Sequence, residues 1–133
     1  RKRPRWLGYC GEDTMEVVVK RIYDPVSSDD GYRVLIDRLW PRGMSREQAA
    51  IERWEKDLAP SPELRKWFSH DPELFEEFSQ KYRQELETLQ AAAAKMLAAA
   101  EQYPRLTLLF AAKDIEHNHA VVLQAWLTDF QKS

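Results

Sequence analysis

The chain has a single cysteine, Cys10, among its 133 residues. One thiol cannot close an intramolecular disulfide, so the fold has to rest on its core, and a reducing, cytoplasmic setting is expected. Glycine is scarce too. Four residues leave no room for a dinucleotide-binding Gly-x-Gly-x-x-Gly turn or a phosphate loop of the Gly-x-x-x-x-Gly-Lys type, and no cofactor is expected. A surplus of one charge is also missing. Twenty basic residues against 22 acidic ones give a formal net charge of -2, which supplies no field to draw in a polyanion, so nucleic acid is disfavoured as a partner. The longest apolar runs, residues 91–94 and 106–112, fall far short of the ~20 residues a bilayer-crossing helix needs. No membrane association is expected.

What the chain does have is core-forming material. Hydrophobic residues make up 44% of it, five tryptophans among them, which is ample for one core at this length and argues against global disorder. Residues 1–14 differ from the rest: four of the first five are basic, Pro4 interrupts them, and Gly8 and Gly11 follow. They read as a flexible basic arm or an upstream extension, with Met15 directly before the first strand-like run and residues 15–133 forming a single domain. A tail that touches phosphate is the functional alternative.

Val17, Val18, Val19 and Ile22 form a β-branched run stopped by Asp24-Pro25, which predicts a first strand. Residues 32–37 predict a second; the unbroken Val34, Leu35, Ile36 suits a strand covered on both faces. Ser45 with Gln48 forms a capping box for a short helix, and residues 51–56 are read as a third strand. Ser61-Pro62-Glu63 opens a helix to about Phe68, and Asp71-Pro72-Glu73 repeats the device. From there Phe75, Phe78, Tyr82, Leu86, Leu89, Ala93 and Met96 make one apolar stripe, predicting a continuous helix toward Glu101. Residues 106–112 give a fourth strand, and Asn118 can cap a last helix with Leu123, Trp126, Leu127 and Phe130 on one face. Trp54, Trp67 and Phe68 read as core. Strands alternating with helices predict an α/β fold, a small mostly parallel sheet of about four strands flanked by helices in one layered domain. Such sheets bind ligands beyond the carboxyl ends of their strands.

Two charged clusters fall at those ends. After the second strand come Asp37, Arg38, Trp40 and Arg42 around a rigid prolyl turn. Guanidinium forks match paired carboxylate or phosphate oxygens, and the indole offers a stacking face; alternatively Arg38 closes an internal ion pair and Trp40 fills core. After the fourth strand come Lys113, Asp114, His117 and His119. Lys113 can hold an anion, Asp114 can orient an imidazole, and His117 titrates where acid-base chemistry operates. The structural alternative is that Asn118 caps the helix while the histidines bond backbone carbonyls. The expected site therefore comprises His117, Asp114 and Asp37 as catalytic groups, with Arg38, Trp40, Arg42, Lys113 and His119 as ligand contacts. No metal is expected: His117 and His119 are two apart and leave a helix on different sides, and the only plausible ligands are His70, Asp71, Asp114 and His117. Residues 67–72, with Lys56 and Asp57, could rim the same cleft if the third strand is parallel.

The strings GYRVLIDRLWPRG at 31–43, KDLAPSPELRKWF at 56–68 and AAKDIEHNHAV at 111–121, with Val19 to Asp24 before them, closely resemble the YeaO-like proteins, domain-of-unknown-function family 488 (DUF488). The resemblance runs from Met15 to about Leu127 and implies a small bacterial α/β domain and a set of motif positions, without a reaction. Beyond the two strand-end clusters it marks Arg21, Tyr32, Arg33, Lys56, Asp57, Pro60, Arg65, Trp67, His70 and Asn118. Residues 1–14 lie outside it. Two functional classes remain. One is a cleft that binds a small anionic molecule, with His117 and Asp114 shuttling a proton in a hydrolytic or transfer step. The other is a non-enzymatic interaction module that binds protein or nucleic acid through the arginine-rich turn or the basic arm. A homodimer stays open.

Overall fold

The β-branched and aliphatic runs at 17–22, 32–37 and 106–112 become strands. The structure, a computed structural model, describes residues 15–132; the basic arm at 1–14 and Cys10 lie outside the described residues. β1 is Glu16–Arg21, β2 Tyr32–Leu35, β3 Arg53–Trp54 and β4 Arg105–Phe110. All pairings are parallel and the order is β1-β4-β2-β3, with Val17 and Tyr32 both opposite Leu106. The helices are α1 Arg46–Ala49, α2 Pro62–Phe68, α3 Phe75–Glu87, α4 Gln90–Ala100 and α5 His119–Lys132. The α/β class, the parallel sheet and the four strands are as the sequence predicts.

Strand alternation divides the core. Val17, Tyr32, Val34, Ile36, Leu106, Leu108 and Phe110 face the helical layer, where Phe78, Tyr82 and Leu86 of α3 meet Leu123, Trp126 and Leu127 of α5. On the other face Ile22, Leu35, Ala49 and Leu109 form a smaller cluster under Trp40, Met44 and Trp54. The amino end of that second face is polar. Arg33 is 3% exposed and reaches Asp30 (2.5 Å) and the Ala49 carbonyl (2.7 Å), while Lys20 Nζ sits 3.0 Å from both Asp30 oxygens. Burial alone would push Asp30 up, but the Ser27 N–H and the Lys20 and Arg33 cations more than offset it, holding the carboxyl below its ordinary range.

Three expectations need correction. The third strand shrinks to two residues, although Glu52 N and Glu55 N still donate to Arg33 O and Leu35 O at 2.8 Å on either side of it. The helix expected to run on to Glu101 breaks at Thr88 and Leu89, whose N–H groups donate to Glu85 O and Leu86 O over three residues rather than four. Thr88 Oγ1 donates to the same Glu85 carbonyl at 2.7 Å, competing with the helical ladder. The apolar stripe survives the break: Leu89 packs on the core, and Ala93, Met96 and Leu97 of α4 are buried. Trp67, expected in the core, is 38% exposed and carries Lys81 over its ring.

Two contacts set α3 against the segment that leaves β3. Tyr82 Oη donates to Leu58 O, and its burial raises the phenol's pKa so that it stays protonated. Glu85 accepts from both Ser61 N (2.9 Å) and Ser61 Oγ (2.6 Å). Residues 58–61 are thereby fixed beside the ends of β2 and β4.

Candidate functional site

β2 gives out where Ile36 N makes its last ladder bond, to Leu109 O. The next residue, Asp37, staples three strand ends. Its Oδ2 accepts from Ala111 N at 3.0 Å, just past β4, and its carbonyl accepts from Trp54 Nε1 of β3 at 2.7 Å. Its Oδ1 lies 3.0 Å from Nε2 of His119, the first residue of α5, and both side chains are 16% exposed. The same Nε2 is 3.2 Å from Ile36 O. A ring nitrogen between a carbonyl and a carboxylate has only acceptors around it, so Nε2 carries the proton.

Beyond these strand ends opens a cleft of about 540 Å³, within the size range of small-molecule sites. Phe68, Phe78, Ala111 and Ala112 supply apolar lining, the two phenylalanines stacking at 4.2 Å between centroids. Arg38, Arg42 and Arg65 supply the charge, against one carboxylate, Asp37. The Arg38 fork is held by the Ala59 and Pro60 carbonyls at 3.4 and 3.3 Å. Arg42 and Arg65 are exposed and have no side-chain partner among the described residues. Tyr23 Oη donates to Arg42 O at 2.8 Å, and Arg21, over the Tyr23 ring, also clamps the carbonyls of Ala111 and Ala112, so the rim is braced to the end of β4.

The two strand-end clusters meet only in part. Asp37, Arg38, Trp40, Arg42, Asn118 and His119 line the cleft, whereas Lys113, Asp114 and His117 do not. Asp114 instead builds the turn into α5. Its Oδ1 accepts from Glu116 N (2.9 Å) and His117 N (3.0 Å), bonds that hold its carboxyl below the usual range, and its Oδ2 meets His117 Nδ1 at 2.9 Å. His117 turns its ring against the edge of Phe75, outside the cleft. Asn118, 2% exposed, ties the turn to the helix by donating to Asp114 O and accepting from Val121 N. Trp40 lines the cleft, yet Arg46 covers its face and Trp54 packs edge-on against it, so the indole serves the second core more than a ligand.

His70 belongs to the 67–72 segment expected to rim the cleft if the third strand is parallel, as β3 is, whereas Arg65 lies outside the strand-end segments and its one signal is its motif position. Ser69 and His70 both hold left-handed backbone, with φ of 47° and 58°. This turns the chain sharply after α2 and brings His70 to the rim beside Phe68. Among the described residues no group of three or more His, Cys, Asp or Glu is placed to hold a metal, and no helix is long and apolar enough to cross a membrane.

A family model described as the inactive DUF488-N3 subclade matches residues 16–133. The chain belongs to the DUF488 family. It is 42% identical over 113 residues to the uncharacterized protein YeaO of Escherichia coli strain K12, covering 85% of this chain and 97% of that one. It is also 40% identical over 107 residues to the uncharacterized proteins Mb3100c of Mycobacterium bovis and Rv3073c of Mycobacterium tuberculosis, covering 80% of this chain and 89% of theirs. No solved structure matches the chain significantly. In this DUF488 domain the described lining of the cleft contains no serine, threonine, cysteine or lysine. Its polar groups are guanidinium donors, two imidazoles, one carboxylate, the Tyr23 phenol, the Trp40 indole and the Asn118 amide, over an apolar floor.

Proposed function

We propose that this domain binds a small organic anion, through a carboxylate or phosphate group, in the cleft at the ends of β2 and β4. The observation that carries the reading is the charge of the lining: Arg38, Arg42 and Arg65 against Asp37 alone, in a molecule whose formal net charge is -2. A guanidinium ~4 Å from an oxyanion gains roughly 4 kcal/mol at an effective dielectric near 20, before desolvation, so two or three converging forks suffice for selective binding. Binding without turnover is favoured over hydrolysis or transfer. The described lining offers no hydroxyl or thiol nucleophile with an adjacent base, and the Asp114–His117 pair expected to move a proton stands outside it. The description of the matching subclade as inactive agrees with this choice.

A thermal-shift titration with inorganic phosphate and phenyl phosphate tests the reading, because a ligand of the folded state stabilises it by about 2.7 kcal/mol at a hundredfold excess over Kd. Wild-type protein should gain several degrees with at least one of the two probes. The Arg42→Ala/Arg65→Ala variant should melt at the wild-type temperature alone and gain nothing from the same probe. A gain that persists in the variant would place the anion elsewhere.

A further inference from the structure

Among the described residues, three other than glycine hold left-handed backbone: Ala50, Ser69 and His70, at φ of 48°, 47° and 58°. The fold accounts for the first two. Ala50 ends α1, where its N–H caps Arg46 O, and the carbonyls of Ala49 and Ala50 there accept from the buried guanidinium of Arg33. Ser69 ends α2 in the same way, its N–H donating to Arg65 O at 2.9 Å. His70 has no such account. Neither its backbone nor its ring makes a hydrogen bond among the described residues, and the bond that closes around it, from Asp71 N to Phe68 O at 3.0 Å, requires only a left-handed residue there. Glycine would supply that conformation without the steric penalty that a Cβ carries. The effect of having histidine is to set an exposed imidazole on the rim of the cleft, beside Phe68 at 6.2 Å between ring centroids. Strained residues of this kind cluster at active sites and ligand clamps.

We infer that His70 is a ligand contact of the cleft, its imidazole N–H donating to the oxyanion that the arginines attract. The inference rests on the anion-binding reading and adds to it a residue that the charge of the lining leaves out. The chain has three histidines, and the other two are engaged elsewhere. His119 commits Nε2 to Ile36 O and Asp37, and His117 pairs with Asp114 outside the cleft. Neither nitrogen of His70 is committed to the described protein, and a neutral imidazole keeps one N–H donor whichever nitrogen carries the proton. The turn is braced on both sides, by the capped end of α2 before it and by Asp71, whose carboxylate accepts from Glu73 N, after it. A ring on a fixed backbone is ordered in advance, which lowers the entropy lost when it meets a ligand.

The test uses the full chain and phenyl phosphate, replaced by inorganic phosphate if that alone binds. In side-chain NMR spectra of wild-type protein the His70 ring signals, assigned by their loss in His70→Gly, should shift saturably with the probe while those of His117 stay in place. By isothermal titration calorimetry His70→Gly should bind the probe roughly tenfold more weakly, and His117→Gln should bind it as wild type does. Without probe, His70→Gly should melt at or above the wild-type temperature, because glycine relieves the left-handed position. Wild-type affinity in folded His70→Gly, or His70 signals that stay still while the probe saturates the protein, overturns the contact and leaves the anion reading intact. Melting of His70→Gly well below wild type shows that the fold itself needs the ring and overturns the strain argument on which the contact stands. Binding of neither phosphate probe to wild-type protein overturns both readings.

Discussion

At the scale of single residues, the arginines divide by what they touch. Arg33 is a structural cation, buried against Asp30 and two backbone carbonyls, whereas Arg42 and Arg65 stand exposed at the cleft. Replacing either of the latter by alanine should change stability by no more than about 0.5 kcal/mol in chemical denaturation while weakening anion binding. Asp30→Asn should behave in the opposite way, lowering stability by about 3 kcal/mol at neutral pH because it strips a buried guanidinium of its counter-charge. The pH dependence has a definite sign. Asp30 titrates below its ordinary 3.8 in the folded protein, so its contribution is present above 3.8 and is lost as pH falls through the lower, folded value. The gap between wild type and Asp30→Asn should therefore be constant above pH 5 and close in stronger acid. The sequence reveals which residues could do chemistry, but not which of them meet. Asp114 and His117 attract attention because they are three apart and adjacent to a helix start; the partner of Asp37 proves to be His119, from a distant segment, and only folding shows it.

At the scale of elements, caps and strands are legible because their signals are local. Ser45 with Gln48, Ser61 with Leu64 N and Asp71 with Glu73 N all cap where the sequence places them. The break between α3 and α4 is not legible, since neither glycine nor proline marks it and the apolar stripe continues through Leu89. The two-residue β3 is equally opaque, because an edge strand's length is set by what its neighbour offers rather than by its own pattern. Backbone constraints at this scale give a sharp contrast. Gly31, at φ +66°, joins the turn before β2, and a Cβ there would lie 2.2 Å from Arg105 O; Gly43, at φ +73°, faces open space. Gly43→Ala should cost about 1–2 kcal/mol for the left-handed backbone alone. Gly31→Ala should cost clearly more, or prevent folding, as read from urea midpoints. Tyr82→Phe removes the bond to Leu58 O that ties α3 to the segment carrying Ala59 and Pro60. It should lower stability by about 1–3 kcal/mol by orphaning a buried carbonyl, and loosen anion binding through the displaced Arg38 fork.

For the molecule as a whole, the functional asymmetry is one of charge. A chain of formal net charge -2 gathers three arginines around one hollow and opposes them with a single carboxylate. The parallel sheet explains the location, because Asp37, Ala59, Ala111 and His119 all follow carboxyl ends of strands that lie side by side. Binding there should weaken several-fold between about 0.05 and 0.5 M salt as the screening length shrinks to a few ångströms, without the steep loss of a polyanion binder. The most direct test of the cleft is an amide-resolved NMR titration with phenyl phosphate. The account predicts saturable shifts concentrated in residues 36–43, 59–70 and 111–119. Shifts confined to the Asp30–Arg33 face, scattered without pattern, or absent at millimolar probe would contradict it.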